Sequence, residues 1–129
     1  MGSLHPTNPS VWVATTTSTS YPALRGRIDV DVAVVGGGIT GLTTALLLTR
    51  AGARVAVLEA DRIASGTTGY TTAKVTSLHG LTYAQLISTH GQDRARQYAD
   101  ANQAAVEQVA TLVDQLGIDC HFERRPAFT

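Results

Sequence analysis

Apolar positions along this 129-residue chain change their rhythm several times, and each change predicts a different element. Val32-Ala33-Val34-Val35 is unbroken, as expected of a strand buried on both faces. Leu42, Ala45, Leu46 and Thr49 then recur at helical spacing, and Arg50 with Gly52 supplies a cationic last turn and a stop. Arg54 to Leu58 reads as a second short strand. From Asp61 to His79 the rhythm fails, and the segment is rich in glycine and hydroxyl side chains. It predicts a loop that hugs something polar rather than a core element. A short helix follows over Leu81 to His90, ended by Gly91. The next helix is long, Gln92 to Leu116, with Tyr98, Ala105, Val109, Leu112 and Leu116 on one face and Val106 and Val113 widening it. Gly117 caps it, and Ile118 to Phe122 alternates like a strand.

Ahead of the first strand, Met1 to Tyr21 is rich in Ser, Thr, Pro and Asn, with Val11-Trp12-Val13 as its apolar island. Residues 1–27 therefore read as an extended arm, on which Trp12 can serve as an anchor. Residues 28–129 then form an incomplete α/β domain, a Rossmann-like βαβ unit followed by helices. A dinucleotide fold needs at least a third parallel strand, and an enzyme needs a substrate domain. Neither is visible, so the expectation is a truncated, N-terminal piece of a longer protein.

The turn between strand and helix carries the strongest chemical signal. Gly36, Gly38 and Gly41 are spaced as GxGxxG. Their physical roles differ, and comprise a tight exit from the strand, close backbone approach to a diphosphate, and tight packing of helix on strand. The helix start then presents unpaired amides and a positive dipole end. Glu59 closes the second strand 18 positions after Gly41. That is near the roughly 20 expected of the carboxylate that accepts from ribose hydroxyls. The bland alternative is a plain βαβ unit with a tight turn.

Ten basic and ten acidic residues cancel, so no nucleic-acid or anionic-membrane footprint is visible. Lys74 is the only lysine. Cys120 is the only cysteine, which rules out an intrachain disulfide and any thiolate metal site built on this chain alone. No secretory signal or membrane span is apparent, and a cytoplasmic location is the expectation.

The strings VDVAVVGGGITGLTTALLLTRAGARVAVLEA and DRIASGTTGYTTAK resemble the FAD-dependent oxidoreductases of the D-amino-acid oxidase and glycine oxidase type. The longer string GTTGYTTAKVTSLHGLTY resembles a bacterial branch whose members often carry a C-terminal Rieske iron–sulfur domain. The resemblance runs from about Trp12 to the end. It implies that Gly36, Gly38 and Gly41 hold the FAD diphosphate, Glu59 the adenosine ribose, and Arg62 the adenine end. It further implies that Gly66, Thr67 and Thr68 contact the diphosphate and ribityl chain, while Thr72, Ala73 and Lys74 approach the flavin ring. Tyr70 stands near the position where some relatives bind flavin covalently through His, which implies non-covalent FAD. The implied partners are a small amine or amino-acid-like substrate and a Rieske domain outside these residues. No catalytic residue and no metal ligand is assigned.

Lys74 reads either as a solvated surface cation or as a charge near flavin N1. His79 reads chiefly as a hydrogen-bonding group of its loop, His90 as a helix C-terminal residue, and His5 as part of the arm. His121 and Cys120 should face opposite ways on a strand, which argues against a Cys–His pair. Two other functions stay open: an NAD(P)-dependent dehydrogenase, and a non-catalytic nucleotide-binding or interaction module. The piece alone is expected to turn over no substrate.

Overall fold

The computed structural model describes residues 8–128, and the reading of His5 falls outside them. Its elements are α1 (Val11–Thr15), β1 (Val32–Val35), α2 (Ile39–Arg50), β2 (Val55–Leu58), a 3-10 turn (Thr67–Tyr70), α3 (Thr82–His90) and α4 (Gln92–Leu116). The chain divides into two compact units, one ending at Thr72 and the other starting at Ala73.

In the first unit β1 and β2 form a two-stranded parallel sheet, with Val32 opposite Val55 and Val35 opposite Leu58. A parallel pair cannot be joined by a tight turn, and α2 supplies the crossover. The strand starts are tied by Asp31 and Arg54. The Asp31 amide donates to the Arg54 carbonyl at 2.9 Å, and the Arg54 amide returns a bond to the Asp31 carboxylate at 2.8 Å. The guanidinium also reaches that carboxylate at 2.9 Å and holds it below the usual carboxylate range. The α/β class and the incomplete parallel sheet read from the sequence are therefore present.

Two expectations fail here. β1 is covered on one side only, and Val35 is 84% exposed, because no described element packs over that face. The inward face of α2 is also rotated from the expected one. Gly41, Ala45 and Leu48 point in, whereas Leu42 and Thr49 are exposed. Gly41 is the point of closest approach to the strand, and with no side chain it leaves no mark in the apolar pattern.

The expected extended arm contains a helix. Ser10 caps α1, its hydroxyl accepting from the Val13 amide at 3.2 Å. The capping hydroxyl supplies what the short apolar island lacks in length.

In the second unit α3 packs on α4, and Gly91 alone joins them with φ +83°. Between them lies a ring cluster. His79 Nδ1 is 2.8 Å from Tyr98 Oη, its Nε2 is 3.0 Å from the Thr76 carbonyl, and its ring stacks on Tyr83. A carbonyl only accepts, so Nε2 carries a proton, and in the neutral ring Tyr98 then donates to Nδ1. His79 thus organises its own loop, as the sequence indicates. Tyr98→Phe deletes that donor and should destabilise the chain by about 0.5–1.5 kcal/mol in urea unfolding. An unchanged midpoint would show that the bond contributes nothing.

The inward face of α4 runs through Ala95, Tyr98, Ala99, Asn102 and Val106 to Val113, while Ala105 and Leu116 are exposed. Gly117 is left-handed (φ +59°, ψ +42°) and takes the Asp114 and Val113 carbonyls, as its capping role requires. The expected strand over Ile118 to Phe122 is absent. No described segment pairs with it, and His121 turns into the left-handed region at φ +50°. Cys120 and His121 therefore do not alternate across a strand.

Candidate functional site

The site is built where β1 ends. The Gly36 amide extends the ladder by donating to the Leu58 carbonyl at 2.8 Å, and the chain then turns with φ +104°. This backbone conformation is open to glycine and strained for other residues. Farther along, a β-carbon at Gly41 would fall on the Gly36 carbonyl oxygen and within 3.3 Å of a Val34 methyl. Glycine at 41 is what lets α2 start directly against the strand end. Gly38 stands just ahead of the helix in extended conformation, and no acidic side chain offsets the dipole in the first turn.

The residue between, Gly37, has a role that the sequence did not reveal. Its amide donates to Glu59 Oε2 at 2.6 Å, and its carbonyl accepts from the Ala64 amide at 2.9 Å. A β-carbon there would meet Ile63 at 2.6 Å and the Glu59 side chain at 3.2 Å. The unbroken Gly36-Gly37-Gly38 run is the signal that could have pointed to it.

Glu59 links the turn to the loop after β2. Its second oxygen accepts from the Asp61 amide at 3.0 Å. These backbone donors, Gly37 first, hold the carboxyl below the usual range, so it stays anionic. Thr68 forms the opposite wall. Its hydroxyl accepts from the Ile39 amide, at the first position of α2, at 3.1 Å, and lies 3.1 Å from where a Gly38 β-carbon would be.

A cavity of about 480 Å³ opens among these groups. Of the expected site residues, Gly38, Glu59, Gly66, Thr67 and Thr68 line it. Gly36 and Gly41 shape the turn beneath. Arg62 borders a neighbouring cavity of about 250 Å³ with Trp12 and Tyr70. Thr72 ends the first unit, while Ala73 (φ +59°) and Lys74 belong to the second.

The donor set fits a dinucleotide. A carboxylate has about four acceptor positions; the Gly37 and Asp61 amides take two here and the Ala60 amide faces it more weakly, which leaves room for a hydroxyl donor. The Thr68 hydroxyl accepts from Ile39 and keeps its own hydrogen to donate. The Gly37 and Ile39 amides, expected to be unpaired, are taken by Glu59 and Thr68, and backbone bare of side chains at Gly38 and Gly66 leaves phosphates room beside them. Among the described residues no three His, Cys, Asp or Glu side chains gather as a metal site, and no helix is long and apolar enough to cross a membrane.

Comparison with known proteins supplies a family. Residues 31–129 match the family model described as FAD dependent oxidoreductase. The chain is 43% identical over 117 residues to YhfW of Bacillus subtilis (strain 168), named for a Rieske 2Fe-2S iron–sulfur centre. That alignment covers 91% of this chain and 23% of YhfW. It is 33% identical over 102 residues to gamma-glutamylputrescine oxidoreductase of Escherichia coli (strain K12), covering 79% of this chain and 24% of that enzyme. A short stretch of 31 residues is 68% identical to aklavinone 12-hydroxylase DnrF of Streptomyces peucetius, covering 24% of this chain and 6% of that protein. The chain thus spans about a quarter of the length of the first two relatives. No solved structure matches.

Proposed function

Because the chain belongs to the family of FAD-dependent oxidoreductases, we propose that its first unit holds the adenosine diphosphate half of FAD in a larger amine or amino-acid oxidoreductase. The observation that carries this reading is the meeting of Gly38, Glu59, Gly66, Thr67 and Thr68 around one cavity at the start of α2. Glu59 accepts from the ribose hydroxyls, and its fixed negative charge disfavours a 2′-phosphate. Thr68, Thr67 and the amides near Gly38 and Gly66 bind the diphosphate. Gly36 and Gly41 act indirectly, by bringing helix and strand together.

Arg62 supports the adenine end from the rim of its neighbouring cavity, and Thr72, Ala73 and Lys74 lead toward the flavin ring. Tyr70 in place of a linking histidine supports non-covalent FAD. Bound FAD supplies two-electron acceptance from substrate, while the protein contributes orientation and electrostatics. The amine class rests on the name of the Escherichia coli relative, and a Rieske partner domain on that of YhfW. The protein works in the cytoplasm, without nucleic acid or membrane as partner.

Thermal unfolding of the intact protein with added FAD tests this. A ligand specific to the native state stabilises by about 2.7 kcal/mol at one hundred times its Kd. FAD should raise Tm and NAD+ should not, while the 129-residue chain alone should bind FAD weakly and oxidise no amine. No shift with FAD, or a larger one with NAD+, would overturn the reading.

A further inference from the structure

The 3-10 turn that carries Thr68 is held from outside by α1. Ser10 Oγ donates to the Gly69 carbonyl, and Trp12 Nε1 donates to the Thr71 carbonyl at 2.8 Å. A methyl of Val13 packs over Gly69, 3.1 Å from where a β-carbon would lie at that position. These contacts join residues about 59 positions apart, at the middle of the turn and just past its end.

The rest of this seat is open. The 250 Å³ cavity lies between Thr16–Thr19 and the loop around Arg62 and Ile63. The turn is therefore held by directed bonds and, at buried Gly69, by close packing on one side, where a β-carbon would fall on the Ala64 carbonyl oxygen. Within it, the Gly69 amide closes onto the Gly66 carbonyl at 3.0 Å, and this closure brings Thr68 Oγ1 to the Ile39 amide.

We infer that α1 is a positioning strap: Ser10, Trp12 and Val13 clamp the Thr67–Tyr70 turn so that Thr68 stays against the first amide of α2. Its bearing on FAD rests on the function proposed above. Trp12 is a positioning residue, acting through the Thr71 carbonyl and lining no part of the 480 Å³ cavity.

Hydrogen exchange by NMR on the 129-residue chain tests the clamp without any ligand. Trp12→Phe keeps an aromatic ring and deletes the donor, and Ser10→Ala deletes the other. Each should speed exchange of the Gly69 amide about two- to tenfold, the loss of one hydrogen bond. Exchange in β1 and β2 should be unchanged, which separates release of the turn from general unfolding. FAD affinity of the intact protein, read by flavin fluorescence, should fall by a similar factor in each variant. Unaltered Gly69 exchange in both variants overturns the strap. Faster exchange with unaltered FAD affinity overturns its positioning role and leaves a merely structural contact. If wild-type chain and intact protein both ignore FAD, the functional proposal fails, and the exchange data still decide whether α1 clamps the turn.

Discussion

Gly41→Ala should lower stability by about 1–3 kcal/mol, the usual cost of overpacking a close contact. The added methyl would fall on the Gly36 carbonyl oxygen, and a Val34 methyl blocks retreat along the strand. A backbone oxygen has no rotamer to escape into, so α2 itself must back away from β1. That movement would carry the Ile39 amide off Thr68 and open the wall of the cavity. FAD binding should weaken with stability. Urea unfolding reads the effect as a lower midpoint at unchanged slope. Thr40→Ala, one residue earlier and solvent-facing, is the control and should be near neutral. Equal midpoints for the two variants would refute the close-approach role of position 41.

Glu59→Gln should weaken FAD roughly ten- to hundredfold, as expected when a charge-assisted hydrogen-bond network is lost. The two amides bonded to the carboxylate come from opposite sides, Gly37 and Asp61. A carboxamide can offer its oxygen to one of them and must turn its NH2 toward the other. The variant should also lose a pH dependence of stability. The folded-state carboxyl titrates below its ordinary value of 4.5. Its stabilisation is thus complete above that value and is lost as pH falls through the lower, folded-state one. Urea midpoints of wild type and Glu59→Gln, compared from neutral pH downward, should converge in acid. Parallel profiles throughout would remove Glu59 from the network.

Much of this is legible in the sequence because backbone demands leave fixed traces. The unbroken Val32–Val35 run, the glycine spacing and the closing Glu59 each answer to one local requirement, so the first unit's order can be read directly. Gln92–Leu116 and Gly117 are equally plain, since helix ends depend on neighbouring residues. What escapes depends on distant partners. Trp12 reads as an anchor and is one, but nothing near Val11 reveals that Gly69 and Thr71 will offer the carbonyls, so a docked helix reads as an arm. Ile118–Phe122 shows the converse: alternation alone makes no strand without a neighbour to pair with. Gly37 is passed over because the glycine spacing assigns its partner, Glu59, to the ribose. Among the expected site residues, Gly38, Glu59, Gly66, Thr67 and Thr68 meet at the cavity, while Arg62 of the same loop borders the neighbouring one. Ala73 and Lys74, placed by resemblance, belong to the next unit.

The single-residue joint at Gly91 fixes a phase as well as a direction. Each residue of an α-helix advances about 100° around its axis. One extra residue between α3 and α4 would therefore rotate the whole inward stripe of α4 by more than a quarter turn, taking Tyr98 away from His79 and bringing Gln97 toward its place. Substitution at this joint strains one peptide unit; a change in its length misregisters every layer of the hairpin at once.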